Sequence, residues 1–132
     1  MRKYLEANVY EESKRRLRLV FRNFERVLLS FSAGKDSGIM LHLALEVAKE
    51  EGELPLDVML IDLEAQYAHT IAFAKRMMFR SDVHAHWVCL PLHLRNSVSQ
   101  HQPFWLCWDP RVPDLWVRQP PAVSITDIPR VP

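Results

Sequence analysis

A chain of 132 residues with 48% hydrophobic and 25% charged side chains has the balance of one small folded domain with its own core. Its formal net charge of +1 argues against a whole-molecule electrostatic match to nucleic acid or to an anionic membrane. Two cysteines, Cys89 and Cys107, lie outside any CxxC pair and argue against an iron–sulfur cluster or a structural zinc site.

The N-terminus lacks the apolar core of a signal peptide, and no apolar run approaches the ~20 residues of a membrane span. A cytoplasmic location with reduced thiols is expected. Leu5 to Phe24 reads as an amphipathic helix, with Leu5, Val9, Leu17, Val20, Phe21 and Phe24 near helical spacing. Met1 to Arg26 carries eight Lys/Arg against four Glu. A solvated helix face explains this better than a nucleic-acid patch, which has no other support.

Arg26 to Ser32 holds the apolar run of a buried strand. Asp36 to Glu50 follows as a second helix with Ile39, Met40, Leu43, Ala44 and Val47 on its apolar face, and Gly52 suits its end. Leu56 to Leu63 has no polar alternation until its end, the pattern of a strand covered on both faces. Tyr67 to Phe79 reads as a third helix and Val83 to Leu90 as a third strand, closed by Pro91. Two successive βαβ units make a parallel sheet with right-handed crossovers. The fold class expected is α/β, a three-layer Rossmann-like parallel sheet with helices on both faces.

One domain over residues 1–132 is expected: an N-terminal helix in 1–25, a βαβαβ core in 26–94, and a Trp/Pro-rich segment in 95–132. The last segment holds Trp105, Trp108 and Trp116 and seven of the nine prolines. Its aromatic content favours order, because disordered tails are aromatic-poor. Within it, Val123 to Thr126 alternates like a short strand.

The turn Ser32-Ala33-Gly34-Lys35-Asp36-Ser37 joins the first strand to the second helix. Ligands of parallel α/β sheets bind at the carboxyl ends of strands. There the free N–H groups and the positive end of a helix dipole form an anion site. Small residues at 33 and 34, hydroxyls at 32 and 37, and the charge of Lys35 describe a phosphate cradle. It is not a Walker loop, since Leu29 stands at the first glycine position and Asp36 follows the lysine.

The stretch "SFSAGKDSGIMLHL", with "IDLEAQ" at Ile61–Gln66 and "QPFWLCWDP" at Gln102–Pro110, resembles a bacterial and phage group of phosphoadenosine phosphosulfate (PAPS) reductase-like proteins. More widely it resembles the N-type ATP pyrophosphatases, which share the adenine nucleotide α-hydrolase-like fold and an SGGxDS pyrophosphate loop (PP-loop). The likeness runs from about Asn23 to Pro110. It implies that Ser32, Ala33, Gly34, Lys35, Asp36 and Ser37 bind the phosphates of ATP or PAPS, with Lys35 and Asp36 as catalytic candidates. Ala33 stands for a family glycine, and since alanine avoids positive φ the loop is expected to be slightly altered. Asp62 and Glu64 are implied as ligands of ribose hydroxyls or of a magnesium ion, with Asp62 the metal candidate, and magnesium is expected to bridge the nucleotide phosphates. Trp105 and Trp108 either stack on the base or plug the domain.

The activity implied is ATP pyrophosphatase-type adenylation or sulfonucleotide-related chemistry. The alternatives are a nucleotide-binding module without turnover and a truncated remnant acting within a complex. Two departures bear on this. The reductases' ECGLH-type cysteine motif does not occur. Three strands are found where the family fold has about five, so C-terminal strands are expected to be missing. The far edge of the first strand would then lie open, and a homodimer or a partner protein is expected to cover it in preference to the tail run Val123–Thr126, the other candidate. His84 and His86 share one strand face, but with no third ligand legible they read as ordinary strand histidines.

Overall fold

The computed structural model describes residues 6–128, so Leu5, the expected helix start, lies outside the described residues. Helix α1 spans Val9–Asn23, and the Asn8 side chain caps it by accepting the Glu11 amide at 2.9 Å. Strand β1 is short, Leu28–Ser30, and leads through the Ser32–Ser37 turn into α2, Lys35–Glu51. Gly52 ends α2 in the left-handed conformation at φ 79°, where glycine has no Cβ to clash. Strand β2 (Leu56–Ile61), helix α3 (Ala68–Met78) and strand β3 (Val83–Val88) complete two βαβ units. Each of these elements lies inside its expected range or within one residue of it, and α1 starts four residues after Leu5.

The sheet order is β1-β2-β3, all parallel, with Leu28 opposite Asp57 and Asp57 opposite His84. The chain is therefore α/β and Rossmann-like. Two right-handed crossovers stepping in one direction place both helices on one face. Leu56, Val58 and Leu60 of β2 and Val83 and Trp87 of β3 are buried there against Leu41, Ala44, Leu45, Ile71, Ala74 and Met78. Complete burial of such side chains stabilises the fold by roughly 1.5–3 kcal/mol each. Phe31, 1% exposed, meets the Phe73 ring edge-on at 6.0 Å and ties the end of β1 to α3.

The opposite face carries Leu28, Ser30, Asp57, Met59, Ile61, His84, His86 and Val88, by the period-2 alternation of strands. Among the described residues no helix covers it, and Leu28 and Ile61 are about half exposed. Helix α1 packs on α2 instead. Lys14 bonds Glu46 and Glu50 at 2.6 and 2.7 Å, and Arg18 and Arg22 pair with Glu50 and Glu51. Much of the basic excess of the N-terminus is thus matched by the acidic end of α2. Hydrogen bonds to Glu46 and then Glu50 push the Lys14 amine pKa up.

Beyond β3 the expected irregular segment contains structure. Strands β4 (Leu92–Arg95) and β5 (Phe104–Cys107) pair antiparallel, and a single 3-10 turn follows at Pro113–Leu115. The short run near Val123 does pair, but with β3. Ile125 bridges Val88 in parallel, its amide donating to the Trp87 carbonyl at 2.7 Å. The tail thus extends the sheet at its β3 edge, while β1 has β2 as its one strand neighbour among the described residues. No described helix is long and apolar enough to cross a membrane.

Candidate functional site

The turn leaving β1 sits at the carboxyl end of the sheet. Ala33 adopts φ 58° and is buried. It takes the left-handed conformation itself, at a cost of about 1–2 kcal/mol relative to an unstrained residue. Gly34 then occupies the N-cap of α2 with extended backbone and no side chain to cap the helix. A Cβ there would lie 3.5 Å from Ser32 Oγ and 3.9 Å from Ser37 Oγ, in ordinary van der Waals contact with both hydroxyls. Ser32 Oγ donates to Ser37 Oγ, which donates to the Gly34 carbonyl, both at 3.0 Å.

The first helical hydrogen bond is Gly38 N–H to the Gly34 carbonyl at 2.9 Å. The amides of Lys35, Asp36 and Ser37 precede it and have no helical acceptor. They face outward with the positive end of the α2 dipole. The Lys35 and Asp36 side chains are 84% and 86% exposed and pair with each other at 2.9 Å. The turn therefore presents free donors, two hydroxyls and an exposed cation at one point.

Asp62 and Glu64 follow β2 at the same end of the sheet, but both are buried, at 1% and 3% exposure. Asp62 accepts the Glu64 amide at 2.9 Å, the Trp87 indole N–H at 2.7 Å, and the Arg118 guanidinium. Glu64 accepts the amides of Trp108 at 2.6 Å and Val117 at 2.8 Å. The Trp108 indole donates to the Asp62 carbonyl at 2.6 Å. Arg118 stacks over the Trp108 ring at 5.2 Å, and Trp116 meets that ring edge-on at 5.3 Å. These carboxylates anchor the aromatic segment to the end of β2. A ribose or a magnesium ion at Asp62 would have to displace a guanidinium or an indole donor.

Trp108 is 1% exposed with both its N–H groups bonded, which makes it the plug of the two readings. Trp105 is half-buried. With His93, Arg111, Trp116 and Glu64 it lines a cavity of about 420 Å³, whose lining includes none of Ser32–Ser37. The structure thus gathers the 32–37 turn at one point and Asp62, Glu64 and Trp108 in one buried joint. Arg118 and Trp87, central to that joint, carry no signal in the sequence.

Burial pushes the Cys89 thiol pKa up to about 12 and also raises that of Cys107, so both are protonated at neutral pH. The third side chain of ligand type that sequence reading lacked beside His84 and His86 is Asp57, directly opposite His84 on β2. The hydrogen bond from His86 foremost holds the Asp57 carboxyl below its ordinary range.

The family model of the phosphoadenosine phosphosulfate reductase domain matches residues 26–105. The chain is 44% identical over 126 residues to the uncharacterized protein YbdN of Escherichia coli, covering 93% of this chain and 30% of that protein. It is 40% identical over 67 residues to sulfate adenylyltransferase subunit 2 of Mycolicibacterium vanbaalenii, covering 51% of this chain and 21% of that one. The subunit 2 of Mycobacterium bovis is 48% identical over 56 residues, 42% of this chain and 18% of that one. The chain spans less than a third of the length of these relatives. No solved structure matches significantly.

Proposed function

The chain belongs to the phosphoadenosine phosphosulfate reductase domain family, and on that premise we propose that its Ser32–Ser37 turn binds the phosphates of an adenine nucleotide, ATP or PAPS. The observation that carries this is the set of free α2 amides at Lys35 to Ser37 beside the hydroxyls of Ser32 and Ser37. Lys35 swings from Asp36 to a phosphate oxygen, and Asp36 orders the start of α2. The resemblance to sulfate adenylyltransferase subunit 2 favours adenylyl chemistry. In that reaction an acceptor oxyanion forms a bond to the α-phosphorus as the bond to the α–β bridging oxygen breaks, and Lys35 and the amides stabilise charge on the departing pyrophosphate.

Thiol-based reduction is not supported by the cysteines present, since both are buried and protonated. Magnesium does not fit Asp62, whose oxygens already serve Trp87, Glu64 and Arg118. Lys35 and the amides meet nucleotide charge at the turn. A partner subunit in a cytoplasmic complex accords with the word "subunit" in the relatives' name.

Calorimetric titration with ATP and with PAPS tests the site. Lys35→Ala should weaken binding about 10- to 100-fold, the worth of one charge-assisted hydrogen bond. Equal affinity in that variant would remove the Lys35 side chain from the site. Pyrophosphate release on incubation with ATP separates turnover from binding alone.

A further inference from the structure

We propose that Asp57, His84 and His86 form a binding site for one divalent transition-metal ion of the zinc type. The site lies on the open face of the sheet, remote from the nucleotide turn. His84 and His86 stand two residues apart on β3, and strand alternation sends both to one face. The register puts Asp57 of β2 opposite His84 on that face. His84 Nδ1 lies 2.6 Å and His86 Nε2 2.7 Å from the same oxygen, Asp57 Oδ1. The two imidazole rings are 4.7 Å apart. One ligand atom from each of the three residues falls within 4.8 Å of the others.

A four-coordinate ion with bonds of about 2.0–2.1 Å holds its ligand atoms roughly 3.3 Å apart. The carboxylate oxygen needs to recede by less than 1 Å, and the imidazoles to rotate slightly, to admit an ion. Two imidazoles and one carboxylate suit zinc, cobalt, nickel or ferrous iron rather than magnesium or calcium. The Asp57 and His84 side chains are 27% and 63% exposed and that of His86 33%, so an ion has a route in. A cavity of about 360 Å³ opens beside Asp57 and His86, walled by Leu28, Met59, Val88 and Ile125. The positions left open on the ion would face it.

Asp57 and His84 are the second residues of their strands. The nucleotide turn is at the opposite, carboxyl end. At about 3.3 Å per residue, Asp57 lies some 16 Å of strand from Asp62. The metal site is therefore a second site and does not rest on the nucleotide reading.

Titration of the 132-residue chain with Co²⁺ and Zn²⁺ tests it. One Co²⁺ per chain should bind with a ligand-field absorption that Zn²⁺ abolishes. Zn²⁺ should raise the thermal midpoint, and a chelator should reverse the rise. His84→Gln, His86→Gln and Asp57→Asn should each weaken binding by about tenfold or more, since even supporting residues of metal sites cost that much. His93→Gln should leave it unchanged. Because a sheet variant can lose stability, the wild-type chain gives a second readout. Zn²⁺ should shift the imidazole nitrogen resonances of His84 and His86 and spare the other four of the six histidines. Equal Co²⁺ affinity in the His84→Gln/His86→Gln double variant, or zinc-induced shifts at other histidines, overturns the proposal.

Discussion

Replacement of Glu64 by alanine tests how the aromatic segment is held. The carboxylate is 3% exposed and accepts two backbone amides, Trp108 at 2.6 Å and Val117 at 2.8 Å. A hydrogen bond to a charged group contributes about 1.5–3 kcal/mol, so two give about 3–6 kcal/mol gross. The segment relaxes once released and water reaches the freed amides, which reduces the net loss to about 2–4 kcal/mol. Alanine is the right substitute because Glu64 sits at φ 63°. Glycine would relieve that strain and mask part of the effect. The loss is local. Trp108 and Val117 lie outside the β2–β3 ladder, which keeps its own bonds.

Amide hydrogen exchange reads this directly. Protection at Trp108 and Val117 should fall roughly 30- to 1,000-fold, at 1.4 kcal/mol per tenfold, while Val58 and Leu60 keep theirs. Glu64→Gln should fall between, since its amide oxygen still accepts one N–H. Unchanged protection at Trp108 and Val117 would refute the anchoring role. An equal drop at Val58 and Leu60 would show that the segment and the sheet open as one unit.

Three further outcomes follow from the same joint. Cys89 and Cys107 should resist a disulfide reagent at pH 8 in the native chain and react fully in denaturant. Native reactivity of Cys89 would contradict its burial and its pKa of about 12. Arg118→Met leaves the Asp62 carboxylate buried without its cation, which costs about 3–5 kcal/mol when no other donor remains and less here because Trp87 and the Glu64 amide still donate. Asp62→Asn in the same chain should recover part of the loss, and strictly additive thermal shifts would deny the pairing. Arg111 holds the Asp109 carboxyl down at about 2, against an ordinary 3.8. Its stabilisation is complete above 3.8 and fades as pH falls through about 2, so the near-ultraviolet circular dichroism of Trp116, whose indole bonds the Asp109 carbonyl, should fade over that window. A signal lost above pH 5 would point to other groups.

The βαβαβ order was legible because each element has an unbroken local period: the apolar runs of β2 and β3 and the helical spacing of α2. The 32–37 turn was legible because its residue types have few other uses between a strand and a helix. The β4–β5 hairpin was not, since its connection from Asn96 to Pro103 carries no two-residue turn signature. Ile125 was legible as a strand residue but not as a partner of β3, because the docking site of a tail is set by distant packing. Asp62 and Glu64 read as ligands from the position they hold at a strand end. Their burial depends on where Trp108, Val117 and Arg118 return, and nothing within a few residues of either encodes that. His84 and His86 show their shared face in the sequence, whereas Asp57 joins them only through the parallel register.

The central claim is that the turn after β1 binds nucleotide phosphates through its backbone. Amide nitrogen–proton spectra of the chain, titrated with pyrophosphate and then with ATP, test it most directly. The account predicts that the largest saturable shifts fall on Gly34, Lys35, Asp36 and Ser37 with both ligands, and that α1 is unaffected. Shifts confined to the basic residues of α1, or none at the turn at saturating ATP, would contradict it.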